Sequence, residues 1–114
     1  MNTSVITRSQ LSEFGDALEG YRVEGRDGTI GRITHVTYDT TCVVVHTGRL
    51  LGKNHVVPAG AVRSIDVGRR QVELDLTEDE VKGGPEYDSH RGLDENCETQ
   101  VEAYYTPILG NRLQ

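Results

Sequence analysis

Cysteine, long apolar runs and clustered basic residues are the features that this sequence has little of. Its two cysteines, Cys42 and Cys97, lie 55 positions apart without a C-x-x-C motif. Such sparse cysteine argues against a disulfide framework and fits a reducing cytoplasm. No stretch approaches the roughly 20 apolar residues of a membrane span, and the N-terminus lacks a signal-peptide pattern. We therefore expect a cytoplasmic protein without membrane insertion.

The basic residues are too scattered to favour nucleic acid as a partner. Twelve Lys and Arg stand against 18 Asp and Glu, the net charge is −6, and only Arg69 and Arg70 are adjacent. Affinity for phosphates depends on clustered cations. The length of 114 residues predicts one domain with short appendages. We assign residues 1–18 to an N-terminal arm, 19–88 to the domain and 89–114 to a polar, partly helical C-terminal extension.

Turn signals and period-two alternation predict six short strands. They are YRVEG, TIGRITHVTY, CVVVHT, HVVP, VRSIDV and QVELDL. Asp27-Gly28 is a hairpin signal, Gly31 indicates a bulge, and Pro58 must lie at a strand end or an edge. The β-branched run of the third strand favours packing on both faces. Six strands with tight turns predict a small barrel or sandwich, in which closure removes exposed edges.

The segment "LTEDEVKGG" carries a complete helix-start signature. Thr77 is the predicted N-cap, Glu80 would return a hydrogen bond to it, and Leu76 and Val81 occupy the staple positions. The glycines that follow end this helix after about one turn.

Both ends of the chain carry weaker helical patterns. In the N-terminal arm, Ser12 is a candidate cap for a short helix that carries Phe14 and Leu18. In the extension, residues 93–105 predict a helix with an apolar patch at Val101, Tyr104 and Tyr105. A short helix needs a surface on which to dock, because it is marginal alone.

No pattern in the sequence predicts a catalytic site. Gly25, Gly28 and Gly31 lack the G-x-G-x-x-G spacing of a dinucleotide fingerprint, and strands flank them. There is no G-x-S-x-G elbow, and Cys42 lies within a predicted strand, where thiols are unreactive. We expect no enzymatic activity and no cofactor.

The hairpin around "GRLLGK" raises two further hypotheses. If Gly48 to Lys53 forms the loop, His46 lies opposite His55, and both rings could touch one metal ion. The sequence offers no clear third ligand, and the alternatives are a cross-strand polar pair or one histidine at a subunit contact. Leu50 and Leu51, adjacent at the hairpin tip, either cover one end of the barrel or contact a partner or a second copy of the chain.

Three blocks, in this order, closely resemble the PRC-barrel superfamily. They are "GYRVEGRDGTIGRITHVTYD", "HVVPAGAV" and "LTEDEVKGGPEYD". The signature positions among them include Gly28, Gly31, Pro58, Thr77, Glu80, Pro85 and Tyr87. The resemblance to stand-alone bacterial members implies a small, strongly bent barrel that serves as an interaction module. Its namesakes are the cytoplasmic part of the photosynthetic reaction centre H subunit and the C-terminal domain of the ribosome maturation factor.

The leading hypothesis is a non-enzymatic protein-interaction or assembly module that forms a homodimer and binds an unknown protein partner. Its expected contact residues are Arg49, Leu50, Leu51, Lys53, Tyr104 and Tyr105. The second hypothesis is a small-molecule or metal-binding barrel that uses His46 and His55. The third follows from the maturation-factor analogy and places ribosome or RNA contacts at Arg49, Lys53, Arg69 and Arg70.

Overall fold

Six strands and two helices make up the part of the chain that the structure describes. This computed structural model describes residues 15–36, 42–48, 52–87 and 95–110. The strands are β1 (Arg22–Gly25), β2 (Gly28–Val36), β3 (Cys42–Thr47), β4 (Asn54–Pro58), β5 (Val62–Asp66) and β6 (Gln71–Leu74). The helices are α1 (Glu78–Lys82) and α2 (Glu95–Gly110), and 3₁₀ turns occupy Gly15–Leu18 and Ala59–Ala61. The predicted mostly-β class, with a short helix after the last strand and a helical extension, is confirmed.

The strands form one sheet in the order β4-β3-β2-β1-β6-β5. All neighbours pair antiparallel except β1 and β6, which run parallel. The outer strands β4 and β5 follow each other in the chain through the turn at Ala59–Ala61. No ladder joins these two strands within the described residues, so the sheet is barrel-like but is not closed by hydrogen bonds as the sequence predicts. Pro58 ends β4 as predicted, since it has no N–H to continue a ladder.

Two bulges bend β2 around the core. On the β1 side Ile30 has no partner, directly beside Gly31, where the sequence predicts a bulge. On the β3 side Thr34 has no partner, and its hydroxyl donates to the Val44 carbonyl at 3.2 Å. Each extra residue bends the strand and increases its twist. The second bulge has no glycine or proline to mark it, and the sequence does not predict it.

Aliphatic side chains from all six strands form the core. Essentially buried members include Val23, Ile33, Val45, Val57, Val62 and Leu74. Residues 42–45 of β3 are all buried, which confirms that this strand packs on both faces. Leu18 of the first 3₁₀ turn is also fully buried, whereas Ser12 and Phe14 lie outside the described residues. Burial contributes about 1.5–3 kcal/mol for each large aliphatic side chain.

The outer edge of β4 is covered by residues 85–87. The Val56 N–H donates to the Pro85 carbonyl at 3.0 Å, and the Tyr87 N–H donates to the Asn54 carbonyl at 2.8 Å. The Tyr87 ring meets the His35 ring edge-on, with centroids 4.9 Å apart. Because unpaired strand edges invite association, Pro85 and Tyr87 protect this side of the sheet.

The start of α1 is built as the sequence predicts. The Thr77 hydroxyl accepts from the Glu80 N–H at 3.2 Å, and the Glu80 carboxylate accepts from the Thr77 N–H at 2.8 Å. Leu76 and Val81, at the staple positions, are both fully buried. This capping box fixes the point at which the chain leaves β6 and turns across the end of the barrel.

Helix α2 is longer than predicted and docks on the chain's own core. It continues through Pro107 to Gly110, beyond the expected end at Tyr105. Val101, Tyr105 and Leu109, four residues apart in turn, are buried along one face. No helix in the described ranges is both long and apolar enough to cross a bilayer.

Candidate functional site

The predicted pairing of His46 with His55 is wrong by one residue. His46 lies opposite Asn54, and His55 lies opposite Val45. The Thr47 N–H already bonds to the Lys53 carbonyl at 2.9 Å, so the loop between the strands is one residue shorter than expected.

Glycine makes the short loop possible. Gly48 has a φ of +81°, and a Cβ built at Gly52 would lie 1.5 Å from the Thr47 carbonyl oxygen. Only a residue without a side chain allows this close return of the chain.

The corrected register places the two histidines on opposite faces of the sheet, because side chains alternate along a strand. His46 faces outward, with its Nδ1 2.9 Å from the Asn54 Oδ1. His55 faces the barrel interior and is 3% exposed. The pair therefore cannot hold one metal ion. Within the described residues, no group of three or more His, Cys, Asp or Glu side chains is gathered for a metal either.

The residues predicted for protein or RNA contact do not come together in the described structure. Arg49, Leu50 and Leu51 lie outside the described residues. The Lys53 ammonium lies 3.3 Å from a Glu86 carboxylate oxygen. Arg69 and Arg70 lie in the turn between β5 and β6, at the end of the strand order opposite β4. The Arg69 guanidinium lies 3.8 Å from an Asp66 oxygen, and that of Arg70 lies 5.5 Å from the centre of the Tyr21 ring.

The two tyrosines of α2 face the chain itself. Tyr105 is 1% exposed, so it lies in the core and does not form the outward patch that the interaction hypothesis requires. Burial, with a smaller contribution from Tyr104, raises the pKa of the Tyr105 phenol. The Tyr104 hydroxyl donates to the Glu80 carbonyl at 2.7 Å. Burial and the Glu80 charge raise the pKa of Tyr104. Both groups stay protonated at neutral pH and serve to dock α2 on α1.

A row of polar side chains with two arginines at its centre, which the sequence did not predict, crosses the outer face of the sheet. Arg22 of β1 lies directly opposite Arg32 of β2, and Arg32 lies opposite His46 of β3. Gln71 of β6 and Asn54 of β4 extend the row at its two ends. Like charges directly opposite one another destabilise a strand pair, so this arrangement needs an explanation.

The middle of this row, Arg22, Arg32 and His46, lines a groove of about 540 Å³, which we call the arginine groove. Its lining residues are Arg22, Thr29, Ile30, Gly31, Arg32, His46, Gly48 and Glu78. The Arg22 guanidinium is held by Glu24 at 3.1 Å and by the Gln71 side chain at 2.7 Å. Arg32 donates to the Gly20 carbonyl at 3.0 Å, and no carboxylate of the described residues lies within ion-pair distance of it. Glu78, the carboxylate of the lining, pairs with Lys82 at 3.3 Å, so the Arg32 guanidinium is the charge in the groove without an ion-pair partner among the described residues.

Comparison with known proteins gives partial likenesses among solved structures only. No family model matches the chain, and no curated protein matches it. A solved structure from Pseudomonas aeruginosa, of RimM, a protein named for 16S ribosomal RNA processing, is similar at 27% identity and a TM-score of 0.49. The likeness covers 65% of this chain and 50% of that one. The chain therefore spans about half the length of that protein. The processing of 16S ribosomal RNA is part of the name of the Pseudomonas aeruginosa protein.

Proposed function

We propose that the chain is a non-enzymatic protein-interaction module of the PRC-barrel type, and that its arginine groove binds an acidic segment of a protein partner. The observation that carries the proposal is the opposed pair of Arg22 and Arg32 on the outer face. The inner face carries the hydrophobic core, which leaves the outer face of the sheet as the surface for a partner.

The charges in the groove favour a carboxylate ligand. A guanidinium binds a carboxylate through two parallel hydrogen bonds, and Arg32 uses one nitrogen on the Gly20 carbonyl. An acidic side chain placed between the two arginines would relieve their repulsion. The net charge of −6 does not prevent this contact. At physiological salt the screening length is about 8 Å, so a ligand in the groove interacts mainly with the charges beside it.

Removal of the Arg32 charge tests the groove. We expect Arg32→Gln to weaken binding of a fluorescein-labelled polyglutamate peptide about tenfold in fluorescence anisotropy, because one charge-assisted contact is lost. Arg63→Gln is the matched control, since Arg63 is exposed on β5 and does not line the groove. Equal losses in the two variants would contradict the proposal. Tighter binding of single-stranded RNA than of polyglutamate would contradict it in favour of a nucleic-acid partner.

We also propose that the module assembles as a homodimer through the β3–β4 loop. Adjacent leucines at a hairpin tip are typical of a contact surface, and closed pairs are the commonest oligomers.

Light scattering at high micromolar concentration should give the mass of a dimer for the native chain and of a monomer for the Leu50→Ser, Leu51→Ser double variant. Val67→Ser is the control, because Val67 is the large apolar side chain that is exposed among the described residues, at 58%. A native chain that is monomeric at this concentration, or a dimer lost only with Val67→Ser, would disprove this mode of assembly.

A further inference from the structure

A second cavity, of 370 Å³, lies between the β3–β4 loop and the end of α1. Its lining includes Thr47, Gly52, Lys53, His55, Lys82 and Glu86, and we call it the mouth pocket. Its volume lies at the lower end of the range for small-molecule sites, about 300–1,000 Å³. His55 and Thr47 reach it from the inner face of the sheet, whereas the arginine groove lies on the outer face.

His55 is the residue in the mouth pocket whose chemistry the fold does not explain. The ring is 3% exposed, and its Nδ1 has no hydrogen-bond partner among the described residues. Its neighbours on the inner face are aliphatic, with Val45 opposite and Val57 two positions along β4. An unpaired buried polar atom costs about 1–3 kcal/mol. An aliphatic side chain would avoid this cost, so packing alone does not account for a histidine here. Nδ1 is closed off from the pocket, whereas Nε2 is not among the sealed, unpaired atoms, so Nε2 is the ring nitrogen that a ligand in the pocket can reach.

The charged side chains at the rim of the pocket indicate that this ligand is negatively charged. Lys53 and Lys82 line the pocket, and Glu86, 3.3 Å from Lys53, is the carboxylate among the lining residues. The Lys82 ammonium lies 3.3 Å from a carboxylate oxygen of Glu78, a residue that lines the arginine groove. The described lining residues thus carry two ammonium groups and one carboxylate, with Glu78 as a second carboxylate outside the pocket. Exposed ion pairs contribute about 0–1 kcal/mol, so either ammonium group can exchange its partner for a ligand.

We infer that the mouth pocket binds a small oxyanion, a carboxylate or phosphate group. The Lys53 and Lys82 ammonium groups face its charge, and His55 donates a ring N–H to it. This inference does not depend on the arginine groove, because the two sites use different cations, although Gly48 lines both.

Nitrogen-15 NMR of the histidine rings tests the inference on the full chain. Inorganic phosphate and, separately, sodium acetate are titrated at constant pH, with sodium chloride used to hold the ionic strength constant. We expect the His55 ring nitrogens to shift and saturate while those of His35, which packs on Tyr87, stay unchanged. A response to phosphate alone assigns a phosphate site, and a response to acetate alone assigns a carboxylate site. No saturable shift at His55 with either anion, or an equal shift at His35, overturns the inference.

Two variants separate this site from the arginine groove. Lys82→Gln, at a half-exposed position, should weaken the anion response at His55 about fivefold, because one of the two ammonium groups is lost. Arg32→Gln should leave that response unchanged, although it abolishes any anion response at His46. An undiminished response in Lys82→Gln contradicts the inference without bearing on the groove. His55→Phe should remove the response of the surrounding amides, and Lys82→Gln keeps the test decisive if that variant does not fold.

Discussion

The Gly31→Ala variant is expected to lose about 3 kcal/mol of stability or more, a large part of what a domain of this size has. A Cβ at position 31 would lie 1.8 Å from the His46 carbonyl oxygen and 2.9 Å from its carbonyl carbon. Both atoms are backbone, so the methyl group can be accommodated only if β3 moves away from β2. That movement would open the central ladder of the sheet. Urea denaturation followed by circular dichroism measures the loss.

Gly60→Ala is the matched control for this prediction. Gly60 lies in the 3₁₀ turn between β4 and β5, and no atom lies within 4 Å of a Cβ built there. Its substitution should be neutral or stabilise by up to about 1 kcal/mol, because alanine restricts the unfolded chain. If both variants unfold at the same urea concentration, β2 and β3 lie farther apart at Gly31 than the structure shows, and the prediction is wrong.

Local signals in the sequence predict the elements of this fold well, because their causes are local. The capping box needs only Thr77 and Glu80, and alternation in "QVELDL" needs only its own residues. The edge position of Pro58 follows from its missing N–H in the same way. The resemblance to the PRC barrel adds the order of the blocks, and the six-stranded sheet agrees with it.

The register of the strands depends on distant contacts, and here the sequence is a poor guide. A two-residue turn before Gly28 with regular pairing would place Arg22 opposite Gly31. The extra residue at Ile30 moves the register by one and brings Arg22 opposite Arg32 instead. The arginine groove thus exists because of a bulge. The sequence marks the bulge by one glycine, and it does not indicate that two charges meet there.

The same limit applies to the histidines. Counting six loop residues places His46 against His55, whereas the close return of the chain at Gly52 leaves five. One residue changes a hypothetical shared metal site into two separate environments, since a slip of one position reverses the face of every side chain. The buried state of His55 follows from that register and not from any local pattern.

Tyr105→Ala is expected to destabilise the protein by about 3–5 kcal/mol, because it removes a large buried aromatic side chain and leaves a cavity. Tyr105 is among the largest fully buried side chains, and it belongs to the same core cluster as residues of β3 and β4. Its ring also packs edge-on against Tyr104, with centroids 4.8 Å apart, and Tyr104 bonds to α1. The variant should therefore release α2. Hydrogen exchange of the α2 amides should accelerate well before global unfolding, and urea denaturation gives the total loss.

Tyr105→Phe separates the contribution of the ring from that of the hydroxyl. The Tyr105 hydroxyl is buried and has no hydrogen-bond partner in the part of the chain that the structure describes. Gly84 leaves room for it, since a Cβ there would lie 2.7 Å from this oxygen. Burial raises the pKa of this phenol, so the group stays neutral and its removal changes no charge. Removal of an unpaired buried polar atom should be neutral or stabilise by about 1 kcal/mol. A Tyr105→Phe variant as unstable as Tyr105→Ala would mean that the hydroxyl, and not the ring, holds α2 against the barrel.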